Sequence, residues 1–159
     1  MKLYLYIILI LFINIHSVYG KESRFSGEPI PRFVSISKSP LSTRVGPSVK
    51  YPIKYIYQAK FQPVKVINEY YGWYQIEDVE NDSSWINKNS TSKAKYAISV
   101  NDNTKLYEKN KLTSDIIAKI NKGVVVKVVE CSENLCNVEV NFNGQPFKGF
   151  VIQNELWGI

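Results

Sequence analysis

The chain has 159 residues, of which 45% are apolar and 13% aromatic, and its formal net charge is +6 at pH 7. This composition excludes a disordered polypeptide, and the length allows one ordinary domain or two very small ones. Lysines and arginines are scattered along the chain and form no basic run, so no nucleic-acid partner is expected. The positive charge favours anionic partners such as wall polymers.

The first 20 residues have the pattern of a secretory signal peptide. Lys2 precedes an apolar run at 3–13, which is shorter than the ~20 residues that a membrane span requires. The small residues Val18 and Gly20 predict cleavage after Gly20, with an uncleaved N-terminal anchor as the alternative. We therefore expect an exported protein, periplasmic or extracellular, with no transmembrane span after cleavage.

Cleavage would remove the single histidine, His16, together with Lys2, and would leave a net charge of +5. A mature chain without histidine has no Ser-His-Asp or Cys-His nucleophile, no imidazole base and no histidine-containing metal cluster. We therefore expect a protein that is not an enzyme and that uses no cofactor or metal.

After the signal, residues 21–32 contain one glycine and two prolines and few apolar side chains, which predicts a flexible or extended arm. Alternation of apolar and polar residues predicts the first strand at 33–37. A long, ordered hairpin loop is predicted from Lys38 to Pro52, with its defining stretch at 42–53 and a Gly46-Pro47 pair at its centre. β-Branched and aromatic residues predict further strands at 53–57, 64–69, 73–77 and 84–87.

The second half of the chain repeats this plan. Strands are predicted at 96–100, 124–129, 135–138 and 149–151, and Asn143-Gly144 predicts a primed two-residue turn. We therefore expect an all-β fold of two tandem small barrels, with five or so short strands each, at 33–91 and 95–159. The linker at 87–95 is short, and units of ~60 residues are marginal alone, so the barrels are expected to share an interface.

Both cysteines, Cys131 and Cys136, fall in the part of the chain that is expected to be exported. An oxidising compartment favours a disulfide that pins the two arms of a hairpin. The alternative, a redox pair, requires two intervening residues, whereas four separate these cysteines.

Several motifs resemble the bacterial SH3-like family, of the exported SH3b type. In the first repeat they are Arg44-Val45-Gly46-Pro47-Ser48, Tyr51-Pro52-Ile53, Gly72-Trp73-Tyr74-Gln75-Ile76 and Trp85-Ile86. In the second they are Leu106-Tyr107, Gly123-Val124-Val125-Val126, Gly149-Phe150-Val151 and Leu156-Trp157-Gly158. The resemblance implies two SH3-like barrels in an exported protein of the proteobacterial type. Members of this family are mostly targeting modules for cell-wall peptidoglycan or protein partners, so it also implies a binding module.

The sequence departs from the family pattern at Ser84, where glycine is usual, and at Ser90, where an aromatic residue is frequent. The second repeat also lacks the Arg-x-Gly-Pro-Ser loop. We therefore expect any single ligand groove to lie in the first barrel, with the second barrel as its disulfide-pinned support.

The candidate ligand-binding residues lie in or opposite this loop and are Arg44, Lys50, Tyr51, Trp73 and Trp85. Because neighbours in a strand point to opposite faces, core positions at Ile76 and Ile86 direct Trp73 and Trp85 away from the core. Aromatic rings there are suited to stacking on a sugar or an extended peptide, and Arg44 and Lys50 to pairing with an anion. The alternative is that both tryptophans cover the gap between the barrels and that Arg44 braces its own loop.

The acidic hairpin at 77–82 has two interpretations, a glycosidase carboxylate pair or a solvated turn. The absence of a cleft at a hairpin tip favours the turn.

For the whole chain, the favoured function is an exported binding module for peptidoglycan or an extended protein segment. The alternative function is a structural or assembly protein of the bacterial envelope that uses the paired barrels for contact with an envelope protein.

Overall fold

The structure, a computed structural model, describes residues 21–159. The predicted signal peptide at 1–20 lies outside the described residues. The described chain is built from short antiparallel strands in one two-stranded ribbon and two seven-stranded sheets. The predicted fold class, all-β with two small tandem SH3-like barrels, is confirmed.

The ribbon and the first barrel occupy residues 21–92. The ribbon pairs β1 (Lys21–Glu22) with β2 (Pro29–Ile30). The first sheet has the strand order β5-β4-β8-β7-β6-β3-β9. Its strands are β3 (Arg32–Ile36), β4 (Leu41–Arg44), β5 (Ile53–Tyr57), β6 (Pro63–Tyr70), β7 (Trp73–Glu77), β8 (Ser83–Asn87) and β9 (Thr91–Ser92), with a 3-10 turn at Lys88–Ser90 before β9.

The second barrel repeats this topology, with the strand order β12-β11-β15-β14-β13-β10-β16. Its strands are β10 (Tyr96–Ser99), β11 (Thr104–Tyr107), β12 (Ile116–Ile120), β13 (Val125–Ser132), β14 (Leu135–Phe142), β15 (Gln145–Ile152) and β16 (Leu156–Trp157), with a 3-10 turn at Gln153–Glu155. Each strand of one barrel therefore has a counterpart in the other. Arg44 faces Trp85 in the first barrel as Tyr107 faces Phe150 in the second.

Each barrel has its own apolar core, formed by alternate residues of its strands. In the first barrel the completely buried members are Ile36, Val64, Val66, Ile76 and Ile86. In the second they are Ala97, Val126, Cys136, Val138 and Val151. Two cores of this size explain why each unit folds as a barrel and why each benefits from a partner.

Aromatic side chains join the two barrels. The rings of Phe33 and Trp157 meet edge to face at 5.0 Å, and those of Phe61 and Tyr96 stack at 4.7 Å. The Ser35 hydroxyl donates to the carbonyl oxygen of Ala94 in the linker at 2.8 Å. The barrels therefore share an interface, as the short linker predicts.

Residues 21–32 are ordered, where the sequence predicts a flexible or extended arm. The Ser23 hydroxyl donates to Glu69 Oε2 at 2.7 Å, and the Arg32 guanidinium donates to the other oxygen of the same carboxylate. Glu28 pairs with Lys93 of the linker at 2.8 Å. This polar segment is thus attached to the barrel by buried charge, by hydrogen bonds and by Ile30, which is buried in the core of the first barrel.

The hairpin predictions for the second barrel are confirmed. Cys131 and Cys136 face each other across β13 and β14 and form a disulfide, with the turn between them at Glu133. Asn143 and Gly144 connect β14 to β15 with φ angles of 51° and 80°, which is the backbone of a primed turn.

Candidate functional site

Strands β7 and β8 place the two candidate tryptophans on the outer face of the first barrel. Ile76 and Ile86 are completely buried and Ser84 almost so, whereas Trp73, Gln75 and Trp85 are only half-buried. The alternation of a strand therefore directs both tryptophans away from the core, as the sequence predicts.

Trp85 is the centre of this face. It is the direct cross-strand neighbour of Arg44 on β4 and of Gln75 on β7. Trp73 lies two residues from Gln75 on the same side of β7, which makes it a diagonal neighbour of Trp85 within reach of a large side chain. Arg44, Trp85 and Trp73 thus lie on one continuous surface.

The loop between β4 and β5 covers residues 45–52, so it is shorter than the predicted 38–52. Residues 42–44 belong to β4 because Ser42 and Arg44 pair with Ile56 and Ile53. Within the loop, Val45 N–H donates to the Pro52 carbonyl oxygen and Tyr51 N–H to the Ser48 carbonyl oxygen, both at 3.1 Å. The loop is ordered by its own backbone.

Tyr51 is held over Gly46 and stays partly open to solvent. A Cβ atom at Gly46 would lie 2.7 Å from two atoms of the Tyr51 ring, so only glycine allows this approach. Arg44 Nη1 donates to the Tyr51 carbonyl oxygen at 2.7 Å, and 46% of the Tyr51 surface is exposed. The bracing role considered for Arg44 is therefore present, and it joins the cross-strand neighbour of Trp85 to a residue whose aromatic ring is partly exposed.

Lys50 is exposed at the tip of the loop, next to Tyr51, where its backbone N–H donates to Ser48 Oγ at 3.2 Å. It lies at the rim of the surface rather than in the row formed by Arg44 and Trp85. Of the five predicted residues, the structure thus brings Arg44, Tyr51, Trp73 and Trp85 onto one side of the first barrel.

The contacts between the barrels use other aromatic residues. The two ring pairs that join them are Phe33 with Trp157 and Phe61 with Tyr96. Pro63 of β6 also approaches Gly158, where a Cβ atom would lie 2.7 Å from the proline ring. These contacts perform the sealing role that the alternative interpretation assigned to Trp73 and Trp85.

The acidic hairpin has the contacts of a solvated turn. Asp78 Oδ1 accepts hydrogen bonds from the backbone N–H groups of Glu80 and Asp82, at 3.1 and 2.9 Å. Lys65 pairs with Glu77 at 2.6 Å, and Lys54 pairs with Asp82. Residues 21–159 contain no cluster of three or more histidine, cysteine, aspartate or glutamate side chains arranged to hold a metal ion.

Sequence reasoning missed an exposed aromatic cluster beside the tryptophan surface. Phe25 of the ribbon contacts Tyr70 and Tyr71 at ring distances of 5.6 and 5.0 Å, and Tyr70 is the cross-strand partner of Trp73. Tyr71 is 76% exposed. The cluster depends on the ordered ribbon, which no local signal in the sequence predicts.

Glu69 was also missed, because its partners are remote in the sequence. Burial raises the pKa of its carboxyl group, but hydrogen bonds from Ser23, Ser26 and Arg32 outweigh that effect, and the net pKa is lowered. The carboxylate is therefore charged at neutral pH and acts as the anchor of the ribbon.

Comparison with protein families finds a match to the bacterial SH3 domain at residues 37–93. This match lies on the first barrel and includes the loop and both tryptophans; a second copy is not detected, so the family assignment of the second barrel stays a prediction. Comparison with curated proteins finds no match.

Two solved structures are similar to the chain. NlpC2 from Trichomonas vaginalis is 13% identical, with 80% of this chain and 48% of that chain covered and a TM-score of 0.34. NlpC1 from the same organism is 14% identical, with 84% of this chain and 48% of that chain covered and the same TM-score of 0.34. The chain thus spans about half the length of each of these structures.

Within residues 21–159, no helix has the length and apolar character needed to cross a membrane.

Proposed function

We propose that this protein is an exported, non-enzymatic binding module that recognises cell-wall peptidoglycan or an extended protein segment. The observation that carries the proposal is the position of Trp85 on the outer face of the first barrel, directly beside Arg44 and diagonal to Trp73. A partly exposed tryptophan surface and a braced, exposed tyrosine are suited to stacking on flat or ring-shaped groups.

The surrounding chemistry supports an elongated ligand with an anionic group. Arg44 uses one donor for the Tyr51 carbonyl oxygen, and a guanidinium has five N–H donors. Its remaining donors and the exposed Lys50 ammonium are available for a carboxylate. Peptidoglycan offers both sugar rings and peptide carboxylates, and an extended acidic peptide offers a comparable combination.

The second barrel contributes support rather than a copy of this site. Its counterpart of Arg44 is Tyr107, and its counterpart of Trp85 is Phe150. The 108–115 connection also contains no Gly-Pro pair. These replacements favour the first barrel as the location of the proposed groove.

Binding of purified residues 21–159 to isolated peptidoglycan tests this function. We expect the unchanged chain to be retained and the Tyr51→Ala, Trp73→Ala double variant to lose about tenfold in affinity, with a comparable loss for Trp85→Ala. Leu112→Ala, which removes an exposed apolar side chain of the second barrel, is the matched control. Equal retention of the double variant, or no retention of any form, would contradict the proposal.

The second candidate function is an assembly protein of the envelope. The observation that favours it is the exposed strand β12, which lies at the end of the second sheet and carries the exposed side chains of Ile116 and Ile117. Affinity capture from envelope extracts with the unchanged chain and with the Trp85→Ala variant separates the two. A protein captured equally by both forms favours assembly, whereas loss of capture with Trp85→Ala favours the tryptophan surface.

A further inference from the structure

The second barrel contains an open apolar groove. Its volume is about 400 Å³. Most of its lining is apolar and comes from Leu106, Ala118, Ile120, Val140, Phe142 and Phe147. Lys119, Asn121 and Asn141 also contribute to the lining. Phe142 and Phe147 are 64% and 46% exposed, so large apolar surfaces border an opening to solvent.

A comparison of the two barrels explains why this groove is open. The pairing of Arg44 with Ile53 and of Tyr107 with Ile116 makes β5 and β12 equivalent, residue by residue. Ala118 therefore occupies the position of Tyr55. In the first barrel the Tyr55 ring packs edge to face on Tyr57 at 5.5 Å, and Tyr57 packs against the core. Replacement of a tyrosine by alanine leaves space for one aromatic side chain.

Within residues 21–159, the strand beside the groove is an unpaired edge of the sheet. Strand β12 is the outermost strand of the second sheet and pairs with β11. Ile116 and Ile117 are 47% and 46% exposed. A free strand edge with apolar side chains is a template for the addition of another strand, whose inward residue beside Ala118 would enter the groove.

The outer face of the same edge is positively charged. Lys105 and Lys119 are direct cross-strand neighbours on β11 and β12, and both are exposed. Within residues 21–159 neither ammonium forms an ion pair. The carboxylates nearest to them in the chain are Asp102, Glu108 and Asp115, and Glu108 lies 4.0 Å from Lys109. Two like charges opposite each other are unfavourable, and a nearby anion offsets their repulsion.

We propose that β12 is a docking site for an extended protein segment with alternating apolar and acidic side chains. The segment adds to the sheet as a strand. Its apolar side chain, preferably aromatic, fills the groove beside Ala118, and its acidic neighbours lie on the opposite face beside Lys119, with Lys105 one strand further away. This site is separate from the tryptophan surface of the first barrel and does not depend on the function proposed for that surface.

Binding of the capped peptide Glu-Phe-Glu-Val-Glu to residues 21–159, followed by amide NMR, tests the proposal. We expect shifts and increased protection from hydrogen exchange in β12. Ala118→Tyr, which restores the side chain found at the same position of the first barrel, should weaken binding about tenfold or more. Lys119→Glu should weaken it comparably, and added salt should reduce binding to the unchanged chain.

Two controls keep the test decisive. Thr113→Tyr adds the same side chain to an exposed position of the β11–β12 connection and should leave binding unchanged. The charge-reversed peptide Lys-Phe-Lys-Val-Lys should not bind. The proposal is overturned if the acidic peptide does not bind, if Ala118→Tyr binds it as well as the unchanged chain, or if the chain forms a dimer through β12 without peptide.

Discussion

Arg44 Nη1 donates a hydrogen bond to the carbonyl oxygen of Tyr51 across a distance of 2.7 Å. The bond joins the last residue of β4 to the end of the loop that β4 enters, and it fixes the loop from the side that faces Trp85. Arg44 is thereby both a structural brace and a neighbour of the proposed stacking surface. Variants of Arg44 would change both roles together, so the neighbouring residues give cleaner tests.

Gly46→Ala should destabilise the loop because its new Cβ atom would collide with the Tyr51 ring at 2.7 Å. We expect the free energy of unfolding to fall by about 1–3 kcal/mol, the usual cost of overpacking. Urea unfolding of residues 21–159 measures this. In a Tyr51→Ala background the same change should be nearly neutral, and an equal cost in both backgrounds would show that the ring is not the obstacle.

Glu69→Gln should release the ribbon from the first barrel. The substitution leaves the largely buried Arg32 guanidinium with only the longer ion pair to Glu28, at 3.9 Å, and loss of one partner of a buried pair costs about 3 kcal/mol. Denaturant unfolding measures the loss, and limited proteolysis reports the exposure of residues 21–30. Ser23→Ala removes one hydrogen bond to the same carboxylate and two longer ones that the Ser23 oxygen accepts from backbone N–H groups of the ribbon, and it should cost less, about 1–2 kcal/mol. A larger effect for Ser23→Ala than for Glu69→Gln would contradict this account.

Acidification should weaken the same attachment. The net pKa of Glu69 is lowered in the folded chain from its ordinary value of 4.5. A depressed folded-state pKa contributes stability that is fully present above the unfolded value and is lost as the pH falls from 4.5 through the folded pKa. The unfolding free energy of the unchanged chain should therefore fall over this range more steeply than that of Glu69→Gln. Parallel pH curves for the two proteins would exclude Glu69 as the responsible group.

Reduction of the disulfide between Cys131 and Cys136 should destabilise the second barrel. The two residues are five positions apart, and closing so short a loop in the unfolded chain is worth about 2 kcal/mol. Thermal unfolding with and without a reductant measures the loss. Because the first barrel contains no cysteine, a change in the unfolding of that barrel alone would contradict the expected location.

Local patterns were sufficient for most core strands and for the hairpins of the second barrel, but they missed β4, β11 and β12. Alternation around Ile76 and Ile86 predicted both the core positions and the outward direction of Trp73 and Trp85, because side-chain direction in a strand has a period of two residues. The Asn143-Gly144 turn and the disulfide were also predictable, since each depends on residues close together in the chain. The family match at residues 37–93 agrees with the motifs that carried the resemblance.

Contacts between residues distant in the sequence determined the position of residues 21–32 and the interface between the barrels. The order of residues 21–32 depends on Ser23 and Arg32 meeting Glu69, 46 and 37 positions away, and no local pattern encodes such a meeting. Packing between the two barrels also placed Phe33 and Trp157 at their interface. Trp85 therefore stayed on an outer face. The sequence by itself determined which residues form the core of each barrel. Only the tertiary structure decided which of the remaining aromatic residues pack against the other barrel and which are exposed to solvent, because that depends on how the two folded barrels pack together.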